Sequence, residues 1–213
     1  HALYGFARYA DEIVDDLAST LTPKEKEEEL QQWSAGILND LAQGVSHDHI
    51  GAALVDTVQR FSIPLEHFHA FLHSMAMDIS VTRYENYAAL TEYVYGSAAV
   101  IGLEMVPILG PLSDDAYPAA EKLGIAFQLA NFIRDVGEDL DRGRIYLPLD
   151  ELHSFNVTEE MLLNRRLTPQ IKSALKFNIE RVRKLQREAN PGIQYLAPES
   201  RACIEAASEL YCG

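Results

Sequence analysis

The start and stop signals along this chain, which are typical of helices throughout, limit its possible folds more than any other feature. Thr22-Pro23 followed by Glu25 combines an N-cap, a proline at the first helical position and a capping-box glutamate. Thr168-Pro169 opens another helix in the same way, and apolar residues then recur every three or four positions. Alternating segments typical of strands are scarce, and no Asn-Gly or Asp-Gly hairpin turn occurs. The pattern predicts an all-α fold.

Eight or nine helices are predicted from these signals. Their approximate ranges are 2–19, 23–43, 47–61, 65–80, 87–108, 114–141, 159–165, 169–190 and 199–213. No segment has the composition of a linker or of an internal repeat, and 213 residues suit one ordinary domain with a sizeable core. We therefore predict a single domain over residues 1–213. Because the chain starts at His1, already in helical register, we expect it to be a piece of a longer protein.

The charge balance limits the classes of partner. The chain has 18 basic and 32 acidic side chains, which gives a net charge of −14. A nucleic-acid partner is disfavoured because it needs a positive surface that displaces counterions from phosphates. An acidic surface fits a site that gathers cations, although solubility explains most of the charge. No stretch reaches the roughly 20 apolar residues that a membrane-spanning helix needs.

Two pairs of aspartates carry the spacing of a cation site. Asp11 and Asp15 are four residues apart, and so are Asp135 and Asp139. Residues four apart on an α-helix share one face, so each pair projects together and its charges repel. A single pair of this kind is common on solvated helices. Both pairs here lie in predominantly apolar segments, where an unpaired buried charge is expensive, so solubility explains them poorly.

Polar residues extend the second pair into a longer stripe. Gln128 and Asn131 precede Asp135 and Asp139 at helical spacing. Mg²⁺ prefers oxygen ligands and is usually held by one or two carboxylates together with substrate phosphates. Two such helices facing a common cavity would hold one diphosphate through several metal ions. The spacing therefore predicts a magnesium–diphosphate site.

These motifs resemble those of the squalene/phytoene synthase family, and most closely its bacterial phytoene synthase members. Residues 4–15 are similar to the first aspartate-rich motif of that family, and residues 128–139 with 142–148 are similar to the second. Met77-Asp78 and residues 93–102 resemble its central helices. The resemblance covers essentially the whole chain. It departs from the family at Ala99, where a glycine is usual, and the family's additional N- and C-terminal segments are expected in the full-length protein.

The resemblance implies a fold and a set of roles. The fold is the isoprenoid-synthase helical bundle around a central apolar cavity. Five positions match the metal and diphosphate ligands of the family: Asp11, Asp15, Asn131, Asp135 and Asp139. The four aspartates among them also match its catalytic residues. The positions that match residues contacting the diphosphates, the reacting carbons or the cavity wall are Tyr4, Arg8, Gln128, Arg134 and Tyr211.

The activity implied is head-to-head condensation of two prenyl diphosphates. The expected reaction joins two geranylgeranyl diphosphates to phytoene through a cyclopropyl diphosphate, in carotenoid biosynthesis, with Mg²⁺ as cofactor and Mn²⁺ as its substitute. Because the product is too apolar for water, we expect a cytoplasmic protein in peripheral contact with the inner face of a membrane. No basic amphipathic helix is recognised as the contact surface.

Three alternatives stay open. The first is a squalene, dehydrosqualene or presqualene diphosphate synthase that uses farnesyl diphosphate. Chain-elongating synthases and terpene cyclases are more distant alternatives, and the elongating enzymes are disfavoured because they typically carry Asp-Asp-x-x-Asp twice. The second is a non-catalytic assembly or scaffold protein of the same superfamily. The third is a zinc site at His69 and His73, with His67 adjacent, which is disfavoured because no third ligand is evident and the His-Glu-x-x-His order is absent. The oligomeric state is not predicted.

Overall fold

The computed structural model of the protein describes residues 1–15 and 20–212. Within these residues it is helical and contains no strand, only two isolated β-bridges, so the prediction of an all-α fold is confirmed. The α-helices are α1 (Ala2–Asp15), α2 (Pro23–Gln43), α3 (His49–Phe61), α4 (Leu65–Ser80), α5 (Tyr87–Val94), α6 (Val100–Ile108), α7 (Ala116–Arg134), α8 (Val136–Asp141), α9 (Leu149–Ser154), α10 (Glu159–Leu163), α11 (Pro169–Ala189) and α12 (Pro198–Cys212).

The chain forms two compact units, His1–Ser80 and Val81–Gly213. The prediction of a single domain stays a prediction. In the N-terminal unit, α1 packs against α2, α3 and α4. Phe6 is fully buried there, with its ring centroid 5.3 Å from that of Phe68 and 5.2 Å from that of Phe71. This aromatic cluster anchors the apolar side of α1 and leaves its other side in solvent.

Helix α7 is the central element of the C-terminal unit and packs against α6, α11 and α12. Two glycines allow α6 and α7 to approach closely. A Cβ atom on Gly102 would lie 2.5 Å from the carbonyl oxygen of Ala120, and one on Gly124 would lie 2.5 Å from that of Ala98. Such distances are far inside van der Waals contact, so both positions require glycine for this packing.

Two predicted helices are interrupted. The predicted helix over 87–108 has the observed outer bounds, but a π-helical turn, Tyr95–Ala99, interrupts its α-helical ladder between α5 and α6. In that turn the N–H of Val100 donates to the carbonyl of Tyr95, five residues back, which inserts an extra residue into the helical ladder. The predicted helix over 114–141 is divided at Asp135 into α7 and α8.

Most other boundaries agree with the predicted ones to within about two residues, a margin common to helix ends. Thr22 forms the predicted capping box, since its side chain accepts from the Glu25 N–H while the Glu25 carboxylate accepts from the Thr22 N–H. Helix α9 and a 3₁₀ segment, Asn190–Tyr195, were not predicted. The predicted helical residues 16–19 and 213 lie outside the described residues. Among the described helices, none has both the length and the apolar character needed to cross a membrane.

Candidate functional site

The second aspartate-rich segment lies where α7 gives way to α8. Asp135 itself leaves helical geometry, with φ −98° and ψ 10°. The backbone ladder nevertheless continues, since the Asp135 N–H donates to the Asn131 carbonyl (2.8 Å) and the Asp139 N–H donates to the Asp135 carbonyl (2.9 Å). The three predicted ligands therefore keep their spacing of one turn, although they belong to two helices.

A cavity of about 330 Å³ runs along α7 in the C-terminal unit. It lies between α6, α7, the 3₁₀ segment and α12, and it contacts α7 from Ala116 to Asn131. Its walls are almost entirely apolar. The lining side chains that carry a hydroxyl or amide group are Ser97, Gln128, Asn131 and Tyr211. Gln128 and Asn131 are the last lining residues along α7, so they give the cavity a polar end next to Asp135.

Two buried polar atoms of the cavity wall have no hydrogen-bond partner among the described residues. They are Asn131 Oδ1 and Ser97 Oγ. Buried polar atoms are normally satisfied, and leaving one unpaired costs roughly 1–3 kcal/mol. The amide oxygen of Asn131 can accept a hydrogen bond or ligate a hard cation such as Mg²⁺. The donor set at this end of the cavity thus fits the metal that the sequence predicts.

The carboxylate of Asp135 is held by its neighbour Arg134. Arg134 Nε donates to one carboxylate oxygen and Nη2 to the other, each over 2.6 Å. The Asp135 side chain is 29% exposed and that of Arg134 is 62% exposed. Hydrogen bonding to Asp135 raises the pKa of Arg134, so the guanidinium stays charged. Arg134 can therefore leave Asp135 for another anion at little cost, because its head group is already in solvent.

Tyr211 and Asp139 occupy different surroundings. The Tyr211 ring lies 4.9 Å from that of Phe127, centroid to centroid, and both side chains line the large cavity, as predicted for Tyr211. Asp139 lines a separate small cleft beside Arg144 and Leu140. The structure therefore brings Gln128, Asn131 and Tyr211 to one cavity, with Asp139 turned toward another.

The first aspartate-rich segment lies on α1 and is open to solvent. Arg8 donates to Asp11 and to Glu12, each over 3.0 Å, and the Asp11 side chain is 48% exposed. Tyr4 is 72% exposed, and Asp15 is the last residue of α1. Both aspartates are half-buried, so the apolar residues around them in sequence do not enclose them. The apolar residues of α1 form its opposite, buried side, so Asp11 lies on the polar side of an amphipathic helix.

The structure also tests the metal alternatives. Among residues 1–15 and 20–212, no three His, Cys, Asp or Glu side chains converge on a point where they could hold a metal ion. The zinc alternative at His67, His69 and His73 therefore lacks a ligand set within the described residues. Mg²⁺ does not require such a trio, because substrate phosphates and waters commonly complete its shell.

Glu104 is a buried carboxyl that sequence reasoning missed. Its side chain is completely buried on α6, and within the part of the chain that the structure describes neither carboxylate oxygen has a hydrogen-bond partner. Burial raises the pKa of Glu104 to about 8, so the group is predominantly protonated at neutral pH. A signal was available, since Glu104 is the one charged residue in the apolar stretch 94–109.

Comparisons with known proteins agree with this architecture. The family model of squalene/phytoene synthase matches residues 1–213. A chloroplastic phytoene synthase of an Oncidium hybrid cultivar is 40% identical over 99% of this chain and 52% of its own length. A solved dehydrosqualene synthase in complex with ligand has a TM-score of 0.88 at 27% identity, over 99% of this chain and 72% of that one.

A squalene synthase, HpnC, from Alicyclobacillus acidocaldarius has the same TM-score of 0.88 at 23% identity, over 99% of this chain and 79% of its own. This likeness concerns the fold, and it confirms the predicted isoprenoid-synthase bundle. The chain spans about half the length of most of the curated relatives it matches.

Proposed function

Because the chain belongs to the squalene/phytoene synthase family, we propose that it condenses two prenyl diphosphates head to head, with two geranylgeranyl diphosphates giving phytoene through a cyclopropyl diphosphate. The observation that carries this proposal is the cavity along α7. It is apolar over most of its length, as an isoprenoid chain requires, and it ends at Gln128 and Asn131 with Asp135 one turn further on. A diphosphate group suits that polar end.

Five residues are proposed as ligands of the metal that accompanies the diphosphates. They are Asp11, Asp15, Asn131, Asp135 and Asp139, and the metal is Mg²⁺ or, as a substitute, Mn²⁺. When bound, the metal supplies positive charge that favours departure of the diphosphate. The orphaned Oδ1 of Asn131 supports this assignment, because a cation would satisfy it. The aspartates supply the negative charge that such an ion requires.

The remaining proposed residues bind and orient the substrate. Arg134 and Arg8 each carry an exposed guanidinium next to a proposed ligand, where hydrogen bonds to a diphosphate can replace those to the carboxylate. Gln128 offers amide donors at the polar end of the cavity. Tyr4 is exposed on α1, and we propose that it contacts the bound substrate.

The cavity walls have a second task, which is to protect a reactive allylic cation from water. Apolar side chains exclude water that would quench the cation. The paired rings of Phe127 and Tyr211 present electron-rich faces, which attract positive charge. The proposed chemistry therefore uses the same lining for chain binding and for protection.

A second candidate substrate is farnesyl diphosphate, which would give squalene or dehydrosqualene. The structural likeness to a dehydrosqualene synthase favours it. The identities of 37–40% to phytoene synthases favour the longer substrate. A non-catalytic assembly role is a third outcome of the same experiment.

The test is incubation of the purified protein with Mg²⁺ and either geranylgeranyl or farnesyl diphosphate, followed by extraction and mass spectrometry. We expect a C40 hydrocarbon that disappears with EDTA and in Asp135→Ala. The matched control is Asp141→Ala, an exposed aspartate that is ion-paired with Arg165, and it should retain activity. A C30 product would favour farnesyl diphosphate. The enzymatic proposal would be overturned if no product formed, either from this chain or from a longer form that includes the additional N- and C-terminal segments typical of the family.

A further inference from the structure

The basic side chains of this acidic protein are concentrated in one segment. Residues 163–187 contain eight of the 18 basic side chains and only one of the 32 acidic ones, Glu180. The segment therefore carries a net charge of +7, whereas the ten basic and 31 acidic side chains elsewhere leave −21. A separation of charge this strong indicates an interaction surface for an anionic partner.

The structure turns this segment into a continuous face. Helix α11 buries an apolar side and exposes the opposite one, over a length of about 32 Å for its 21 residues. We name the exposed side of α11 and the preceding segment 163–167 the basic face. The exposed basic residues of α11 on this face are Lys172, Lys176, Arg183, Lys184 and Arg187. Among the described residues, Lys172, Lys176 and the loop residue Arg166 take part in no ion pair, so their charges are available.

Two exposed leucines lie in segment 163–167 of the basic face, Leu163 at the end of α10 and Leu167 in the loop. Leu163 is 55% exposed and Leu167 is 61% exposed, and Arg165 and Arg166 lie between them in the chain. Phe177 on α11 is also exposed. Single exposed apolar residues are ordinary, but leucines that flank arginines at one end of a basic amphipathic helix form the pattern of a segment that binds at a membrane interface.

We propose that the basic face docks on the surface of an anionic lipid bilayer, with Leu163 and Leu167 entering the headgroup boundary and the lysines and arginines facing the lipid phosphates. Helix α11 would then be the basic amphipathic helix that the sequence alone did not reveal. An acidic protein or a second copy of this acidic chain could also match the charge. The exposed leucines favour the bilayer, because the acidic surface of such a partner would offer them no apolar environment.

The overall charge of −14 does not prevent this docking. Exposed charges more than about 8–10 Å apart are largely screened at physiological salt, so the bilayer interacts mainly with the face nearest to it. The acidic remainder is repelled by the same surface at longer range, and this repulsion orients the protein with the basic face toward the lipid. This docking surface belongs to a protein whose proposed product is a hydrocarbon, but the test of docking needs no substrate.

The experiment is cosedimentation of the purified protein with phosphatidylcholine vesicles, with and without phosphatidylglycerol, at low and high salt. We expect binding only to vesicles with the anionic lipid, and weaker binding at high salt. Lys172→Gln with Lys176→Gln should lower binding by about 25-fold, at about fivefold for each charge near the surface. The matched control, Lys24→Gln with Arg60→Gln, removes two exposed basic residues of the N-terminal unit and should bind as the unaltered protein does.

The leucines provide the second arm. Leu163→Ser with Leu167→Ser should weaken binding even at low salt, whereas Leu112→Ser, which removes a leucine exposed elsewhere in the C-terminal unit, should not. Equal binding to neutral vesicles, or equal losses in the control variants, would overturn the proposal. So would self-association that high salt abolishes in the absence of lipid. Condensation activity is measured separately in detergent, and its result does not depend on binding to vesicles. Failure of the docking proposal can therefore be distinguished from failure of the proposed function.

Discussion

The two aspartate-rich segments have the same spacing and different surroundings. On α1, Asp11 lies on the open side of an amphipathic helix, half-exposed and paired with Arg8. At the junction of α7 and α8, Asp135 is less exposed, and Asn131 one turn before it carries a buried oxygen without a partner at the end of an apolar cavity. The second segment therefore has part of its proposed site formed in advance, whereas the proposed ligands of the first lie on a surface.

Equal spacing of the aspartates therefore does not show how far a site is preorganised before its ligand binds. An orphaned buried oxygen is a cost that a cation can remove, so binding at Asn131 gains free energy that binding at Asp11 does not. Each segment nevertheless has an arginine on its own aspartate, Arg8 in one and Arg134 in the other. The two should therefore differ in metal affinity more than in their dependence on arginine.

The largest expected effect is on turnover. Asp135→Ala and Asp11→Ala should each lower product formation by about 10²- to 10³-fold, a loss comparable to removing one group that stabilises charge in a transition state. The assay is formation of hydrocarbon product with saturating Mg²⁺. Asp141→Ala serves as the control and should change the rate by less than about twofold, since exposed ion pairs contribute little. Retention of activity in Asp11→Ala alone would remove the first segment from the site.

The next expected effect is on the pH dependence of stability, which should differ between the two units. Burial raises the pKa of Glu104 to about 8 in the C-terminal unit, and burial lowers the pKa of His67 in the N-terminal unit. Stability from neutral Glu104 is complete below its unfolded pKa of about 4.5 and is lost as the pH rises through about 8. Stability from neutral His67 is present above its unfolded pKa of about 6.5 and is lost as the pH falls.

Glu104→Gln should therefore remove a loss of stability on the order of 3 kcal/mol as the pH rises from about 5 to about 7.5, at about 1.4 kcal/mol per pH unit. His67→Gln should remove only an acid loss. The measurement is urea unfolding of each variant across the pH range, with exposed Glu160→Gln as the control. An unchanged pH slope in Glu104→Gln would show that the carboxyl finds a partner in solution.

A smaller effect concerns helix packing in the two units. Gly102→Ala places a Cβ against the Ala120 carbonyl, so it should destabilise the protein by about 1–3 kcal/mol. Gly36→Ala, in the middle of α2 with no heavy atom within 4 Å of the added Cβ, should stabilise it by up to about 1 kcal/mol. Thermal unfolding of both variants measures the contrast. Equal shifts of the melting temperature would contradict the close approach of α6 and α7.

The smallest expected effect is the change in Mg²⁺ binding when an arginine beside an aspartate is replaced. Arg134→Gln should strengthen binding of Mg²⁺ alone by about fivefold or less, because Asp135 is released from an exposed ion pair. The same change should weaken binding of Mg²⁺ with pyrophosphate, because the guanidinium is then missing. Arg8→Gln should show the same two signs with a smaller gain for the metal. Calorimetry with and without pyrophosphate resolves the signs, and a parallel loss in both titrations would show that Arg134 only supports the fold.

The sequence alone determined the features that depend on neighbours within one or two turns. Helix starts at Thr22 and Thr168 follow from side chains three residues apart, and the family follows from motifs that are contiguous in the chain. The spacing of Asn131, Asp135 and Asp139 was also predicted and persists through the break between α7 and α8. The roles of the ten predicted site residues stay predictions.

Tertiary structure decided what is buried and what is exposed, because burial depends on segments far apart in the chain. It turned Asp11 toward solvent, although apolar residues surround it in sequence. It buried Glu104 without a partner, gave Asn131 an orphaned oxygen at a cavity wall, and inserted a π-helical turn beside the close approach of α6 and α7. It also left Leu163 and Leu167 exposed beside the basic side of α11, which a charge count over the whole chain conceals.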